Sequence, residues 1–159
     1  YAMPEFLTAR NADHDMYSIP IIAGENGSKL NIKSILHDIF PNKSVTMMSN
    51  TEAAIVKYLH NVLAFTKVWV CNAAYMMCKV LGANYDVVRG SLGISGLINE
   101  HHTNVPGPDG KVGVGNKCLP KDLYAFATHL ERLGIVEGKI LKLMYKHNEK
   151  YRIGEKFTE

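Results

Sequence analysis

The segment TEAAIVKYLHNVLAFTKVWVCNAAYMMCKVLG (51–82) contains no proline, and no glycine before its last position. Such a run predicts one continuous helix, and at ~1.5 Å per residue it spans roughly 46 Å. The remaining helices of a 159-residue chain are too short to cover that length. Apolar residues circle most of its surface, and a helix that is apolar all round has to be buried on several sides. A second copy of the chain is the economical cover, so helix 51–82 is expected to form a homodimer.

The sequence on either side reads differently. SIPIIAGEN (18–26) is a short β-branched run closed by glycine and is expected as a buried strand. Ser28 is then expected to cap KLNIKSILHDIF, whose apolar residues at 32, 35, 36, 39 and 40 follow helical spacing until Pro41. KSVTMMSN (43–50) reads as a second strand. Strand, helix, strand is the grammar of a parallel α/β sheet, although two strands alone do not make a stable one. Residues 1–50 are therefore expected to be the tail of a Rossmann-like α/β domain, and 51–159 a helical domain. Within the latter, NYDVVRGSL (84–92) should be a short helix and GISGLINEHHTNVPGPDGKVGVGNK (93–117) a long Gly/Pro-rich loop. A helix is expected to begin at Pro120, and a last one to cover 137–150.

Charge and cysteine usage narrow the partners. A formal net charge of +3 is mildly basic, without the dense Lys/Arg stripe of a nucleic-acid surface, so no nucleic acid is expected as partner. Three cysteines without CxxC pairing point to a reducing compartment, hence a cytoplasmic location. No apolar run reaches the ~18 residues of a membrane span, and YAMPEFL has neither the basic nor the apolar region of a leader. No membrane association is expected.

Cys118 precedes Pro-Lys-Asp, and proline favours the first turn of a helix, so the cysteine stands at or just before a helix N-terminus. Free amides, the helix dipole and the neighbouring Lys121 all push a thiol there toward the reactive thiolate. The alternative is a small buried hydrophobe, as most free cysteines are. Cys71 and Cys78, seven residues apart on one helix face, read as core. Lys57 and Asn61, spaced i, i+4, put an ammonium and an amide on one face of an apolar helix. They either hold an oxyanion or orient a water, or they form a solvated stripe. Glu5 in PEFL is either a base or a surface carboxylate. His101 and His102 lack HExxH or CxxC company and read as solvated, with no metal expected. Gly24, Gly27, Gly113 and Gly115 form no GxGxxG fingerprint, so no dinucleotide-binding loop is expected in this chain.

Taken in order and spacing, PEFL, the strand-helix-strand, EAAIVKYLHNVLAFTKVWVCN and VPGPDGKVGVGNKCLPKDL resemble the UDP-glucose 6-dehydrogenase and nucleotide-sugar dehydrogenase family over nearly the whole chain. VPGPDGK and NEKYR look most like the short forms encoded by large bacteriophages, which would place the chain in the host cytoplasm. The resemblance implies a fold that is mainly α with a small α/β N-terminal remnant, a long central dimerisation helix, a catalytic loop and two further helices. It implies oxidation of the C6 alcohol of a nucleotide sugar, UDP-glucose to UDP-glucuronate, in two hydride transfers to NAD. Cys118 matches the nucleophile that forms a thiohemiacetal and then a thioester. Lys57 matches the residue that steadies the oxyanion, Asn61 its helical neighbour, and Asp122 the carboxylate that orients water and the lysine. Glu5 matches the glutamate that assists hydrolysis. Lys121, Gly113 and Gly115, around the cysteine, would contact the nucleotide-sugar substrate. The family's NAD-binding Rossmann unit would lie upstream of Tyr1 or on a separate chain.

Several positions depart from the family pattern. Ala9 stands where a second glutamate is usual, Leu97 where an arginine reaches the partner's sugar, Asn116 where the second glycine of a pair is usual, and Asn72-Ala73 where Asn-Glu is usual. These residues and the absent NAD unit imply that the isolated chain is inactive. The alternative implied by the same departures is a non-catalytic structural or interaction protein built on the dehydrogenase dimerisation core.

Overall fold

The structure, a computed structural model, describes residues 1–6, 11–27 and 31–152, with the side chains of Met16 and Tyr17 left aside. It is mainly helical with one two-stranded parallel sheet, as the sequence implies. The chain divides into two compact units, Tyr1–Leu59 and His60–Glu159, and the division falls within the long helix.

In the first unit, β1 (Ile21–Gly24) lies parallel to β2 (Val45–Met48), with Ile21 opposite Val45 and Gly24 opposite Met48. Helix α2 (Ile32–Ile39) is the crossover that a parallel pair requires. Both strands are shorter than their apolar runs. Pro20 has no N–H to give to a ladder, and β1 begins just after it. The cap of α2 is Asn31, whose side chain accepts from Ser34 N at 3.1 Å; the expected cap, Ser28, lies outside the described residues. A helix that the apolar pattern does not announce, α1 (Ala12–Ser18), precedes β1, with Asp13 and Asp15 in its first turn, where the helix dipole favours negative charge.

Helix α3 (Asn50–Leu81) begins with a reciprocal cap. Ser49 N donates to Glu52 Oε2 at 2.7 Å, and Glu52 N donates to Ser49 Oγ at 3.2 Å. The backbone and hydroxyl of Ser49 hold the Glu52 carboxyl below its usual range. The far end closes when Gly82 takes φ 67°, a left-handed value, and Ala83 N reaches back to Cys78 O at 2.9 Å.

The second unit packs α3 residues against α5 (Cys118–Arg132) and α6 (Glu137–Tyr151). Val62, Phe65, Val114, Leu123 and Tyr145 form its main core, and Trp69, Phe126 and Met144 pack against them. A second cluster joins Cys71 and Cys78 to Tyr85 of α4 (Tyr85–Ser91) and to Val105, which confirms both cysteines as core residues. A 3₁₀ turn (Leu92–Ser95) extends α4 beyond the expected short helix. Helix α5 starts at Cys118 rather than Pro120. Proline tolerates this third position because the first-turn N–H it lacks would have no intrahelical acceptor. The expected all-round burial of α3 is not what a single chain provides: Leu63, Val70 and Met77 remain 60%, 52% and 63% exposed. Among the described residues, no helix is long and apolar enough to cross a membrane.

Candidate active site

Cys118 is exposed and is the first residue of α5. Asp122 follows it by one helical turn, so the thiol and the carboxylate share a face of that helix. Asp122 is buried, and a buried carboxylate needs donors. It has two: Asn61 Nδ2 from α3 donates to Oδ2, and Lys121 Nζ donates to Oδ1 at 2.7 Å. The Lys121 side chain is 61% exposed, so this ammonium neutralises the carboxylate from the solvent side. The Asn61 oxygen lies 3.0 Å from His60 Nδ1, a contact in which the ring donates when that nitrogen carries the proton. Of the residues singled out in the sequence, the structure therefore brings together Asn61, Lys121 and Asp122, and sets Cys118 one turn away.

The segment leading to the cysteine is held from both sides. Gly113 N donates to Asn72 Oδ1 at 2.7 Å, and Val114 N donates to Asn148 Oδ1 at 2.7 Å, while Asn148 Nδ2 returns a bond to Val114 O at 3.0 Å. Arg152, buried at the end of α6, donates to Asp109 Oδ2. That guanidinium holds the Asp109 carboxyl below the usual carboxylate range. Farther back, Tyr85 Oη donates to Thr103 O at 2.8 Å, and burial pushes the Tyr85 phenol up, so it remains a donor.

The glycines of this loop have packing reasons within the chain. A Cβ on Gly113, which sits at φ 89°, would stand 2.7 Å from Tyr151 Cβ and 3.0 Å from Asn148 Oδ1. A Cβ on Gly115 would enter the Arg152–Asp109 pair, 2.9 Å from Arg152 Cζ. Asn116, where a glycine is usual in the family, takes φ 67°; asparagine is among the few side chains that accept the left-handed region readily, so the substitution is compatible with the turn. Its side chain accepts from Lys117 N at 2.6 Å.

In the first unit, Lys57 Nζ donates to the backbone carbonyl of Glu5 and lies 5.2 Å from the centre of the Phe6 ring, a cation–π distance. Glu5 offers its carbonyl to this contact, and its residue is exposed. Ala9 lies outside the described residues. Leu97 is 85% exposed. Among the described residues, no group of three or more His, Cys, Asp or Glu is placed to hold a metal; His101 and His102 are both exposed. Gly24 likewise has a packing reason within its own unit. A Cβ on Gly24, at the end of β1, would meet Asn50 Cα at 2.8 Å and Ala53 Cβ at 3.0 Å, so that close approach is filled by the chain itself.

Sequence reasoning passed over Asn148, Arg152 and Asp109, and noted Asn72 only as a departure. The available signal was a buried amide on a helix whose neighbours are apolar, yet the partners lie 34 to 43 residues away and local spacing does not reveal them.

These features define a class first: a helical domain on one long helix, with an exposed cysteine opening a second helix beside a buried Asn-Asp pair that an exposed lysine neutralises. The description of the UDP-glucose/GDP-mannose dehydrogenase family, central domain, matches residues 51–150, and the chain belongs to that family. It is 28% identical over 152 residues to the UDP-glucose 6-dehydrogenase of Rickettsia felis, covering 92% of this chain and 32% of the relative. To the enzyme of the same name from Pseudomonas aeruginosa it is 25% identical over 153 residues, covering 94% of this chain and 32% of the relative. The structure of a UDP-glucose dehydrogenase from the hyperthermophilic archaeon Pyrobaculum islandicum is similar with a TM-score of 0.80 and 29% identity, covering 93% of this chain and 33% of that one. The chain thus spans about a third of the length of the relatives it matches.

Proposed function

We propose that the chain is the central, cysteine-bearing part of a nucleotide-sugar 6-dehydrogenase that converts UDP-glucose to UDP-glucuronate with NAD. The observation that carries this is Asp122, buried and held by Asn61 and Lys121 one turn after the exposed thiol of Cys118. Cys118 Sγ adds to the C6 aldehyde, forming a C–S bond while the carbonyl electrons move to oxygen. In the last step water adds to the thioester carbon, the C–S bond breaks, and the thiolate leaves with the sugar as carboxylate. Asp122, fixed by Asn61 and Lys121, orients water; its role toward Lys57 rests on the family resemblance. The roles of Lys57 toward the oxyanion, of Glu5 in hydrolysis, and of Gly113 and Gly115 toward the sugar rest on the family resemblance. The two hydride removals require NAD, and in the family resemblance the dinucleotide is held by a Rossmann unit, so the active form pairs this chain with a dinucleotide-binding domain. Two copies join through α3, whose Leu63, Val70 and Met77 stripe is open in the single chain.

The test is to supply UDP-glucose, NAD and the dinucleotide-binding domain of a relative, and to follow NADH absorbance. Turnover is expected only with that domain present, and Cys118→Ser should reduce it at least a hundredfold. Turnover by the chain alone, or a Cys118→Ser variant that still completes both oxidations, overturns the proposal. A second reading, a structural protein on the same core, is favoured by Leu97, which offers no donor to a sugar hydroxyl. A stable dimer with no turnover in any combination, including with Leu97→Arg, would support it.

A further inference from the structure

Three backbone residues ahead of α5 take their hydrogen bonds from helix side chains. Val112 O accepts from Arg152 Nη1 at 3.5 Å, Gly113 N goes to Asn72, and Val114 uses both its N–H and its carbonyl on Asn148. Asn72, Asn148, Arg152 and Val114 are buried, and the Asn72 and Asn148 bonds are shielded from solvent, while the Arg152 contact to the half-buried Val112 is less so. Loop backbone ordinarily satisfies itself with water. Here side chains of α3 and of the α6 end both grip the segment, and only three residues, 115–117, lie between Val114 and Cys118. The turn between them is fixed too, since Asn116 takes the left-handed conformation and caps Lys117 N with its own side chain.

We infer that Asn72, Asn148 and Arg152 are positioning residues for Cys118: they fix residues 112–114, and through them the point at which α5 begins. The catalytic importance of that position rests on the function proposed above, but the clamp is read by thiol reactivity, which needs neither NAD nor sugar. A thiol at a helix start reacts according to the ordered amides around it. Loosening the clamp frays the first turn of α5 and removes that order without touching the cysteine. Gly115 belongs to the same device, because any Cβ there would wedge into the Arg152–Asp109 pair.

The experiment is timed iodoacetamide labelling of the full chain with mass-spectrometric mapping, alongside amide hydrogen exchange at Gly113 and Val114. Cys71 and Cys78 are buried and serve as internal reporters of unfolding. Arg152→Ala and Asn148→Ala, which removes both side-chain partners of the Val114 backbone, should each slow Cys118 labelling about fivefold and speed exchange at both amides. Cys71 and Cys78 should stay unlabelled, and Arg152→Lys should recover part of the rate. Should one variant fail to fold, Gly115→Ala, which deletes no hydrogen-bonding group, is expected to give the same pattern. Unchanged Cys118 labelling, whatever the exchange does, overturns the positioning role. Labelling of all three cysteines together in every variant overturns it in favour of a purely structural role. Failure of the proposed function would appear separately, as normal clamp behaviour with no turnover in the reconstituted enzyme.

Discussion

Asn61 Nδ2 donates to Asp122 Oδ2, so an amide of α3 and a carboxylate of α5, 61 residues apart in sequence, share one buried contact. Removing the amide leaves a buried carboxylate short of a donor, and replacing it by a second carboxylate sets two like charges together. Asn61→Leu should lower the unfolding free energy by ~1–3 kcal/mol, and Asn61→Asp by more at neutral pH. Urea unfolding of the two variants is the measurement. Equal stability of both with the parent would mean that the contact contributes nothing.

The three cysteines should label in a fixed order. Cys118 is exposed, while Cys71 and Cys78 are buried in the cluster with Tyr85. Alkylation under native conditions is expected to modify Cys118 at least tenfold faster than the other two, which should wait for denaturant. Simultaneous labelling of all three would contradict the burial of the pair.

Dimer formation is expected to depend on the stripe Leu63, Val70 and Met77, spaced by seven residues and more than half exposed. Trp69 is a poorer site for a disrupting charge, because it packs against the chain's own core and donates from Nε1 to His147 Nδ1 at 3.2 Å. Val70→Asp should therefore shift the protein toward monomer with its helicity intact, as read by light scattering and circular dichroism. A charge at 69 should unfold it instead. A parent protein that is already monomeric at micromolar concentration would rule out the α3 dimer.

Acid should weaken the grip on the cysteine loop. Arg152 lowers the Asp109 carboxyl below its unfolded value, so the pair's stabilisation is complete above the unfolded value and is lost as pH falls through the folded one. The Asp109 side chain is 40% exposed, and solvent screening keeps the increment to about 1 kcal/mol or less. Asp109→Asn should show a smaller loss of stability between pH 6 and pH 3 than the parent. Identical pH profiles would remove the pair from the account.

What the sequence made legible was whatever is written in local periodicity. The absence of proline and glycine across α3 announced one helix, and Gly82 its end. The β-branched runs announced the two strands, though not that Pro20 and the Asn31 cap would shorten their surroundings. Helix α1 was illegible because its residues, ADHDMYS, carry no apolar repeat to read. Asp122, Lys121 and Cys118 were visible as a contiguous motif, but the link from Asp122 to Asn61 was not, since nothing local ties an amide to a carboxylate in another helix. The same holds for Asn148 and Arg152, which look like ordinary polar residues of a C-terminal helix until Val114 and Asp109 are placed beside them.

Because Asn72 and Asn148 hold the backbone of residues 113 and 114 from two different helices, the loop is not a portable part. Transplanting residues 103–117 into a relative, or importing a relative's loop, carries the backbone but leaves its anchors behind. A chimera that exchanges the loop together with residues 72, 148 and 152 keeps the fastening and the thing fastened as one heritable unit. In any lineage where Arg152 shortens, Gly115 loses the guanidinium that now excludes a larger residue from its place, whereas Gly113 stays closed by Tyr151 Cβ and by its φ of 89°.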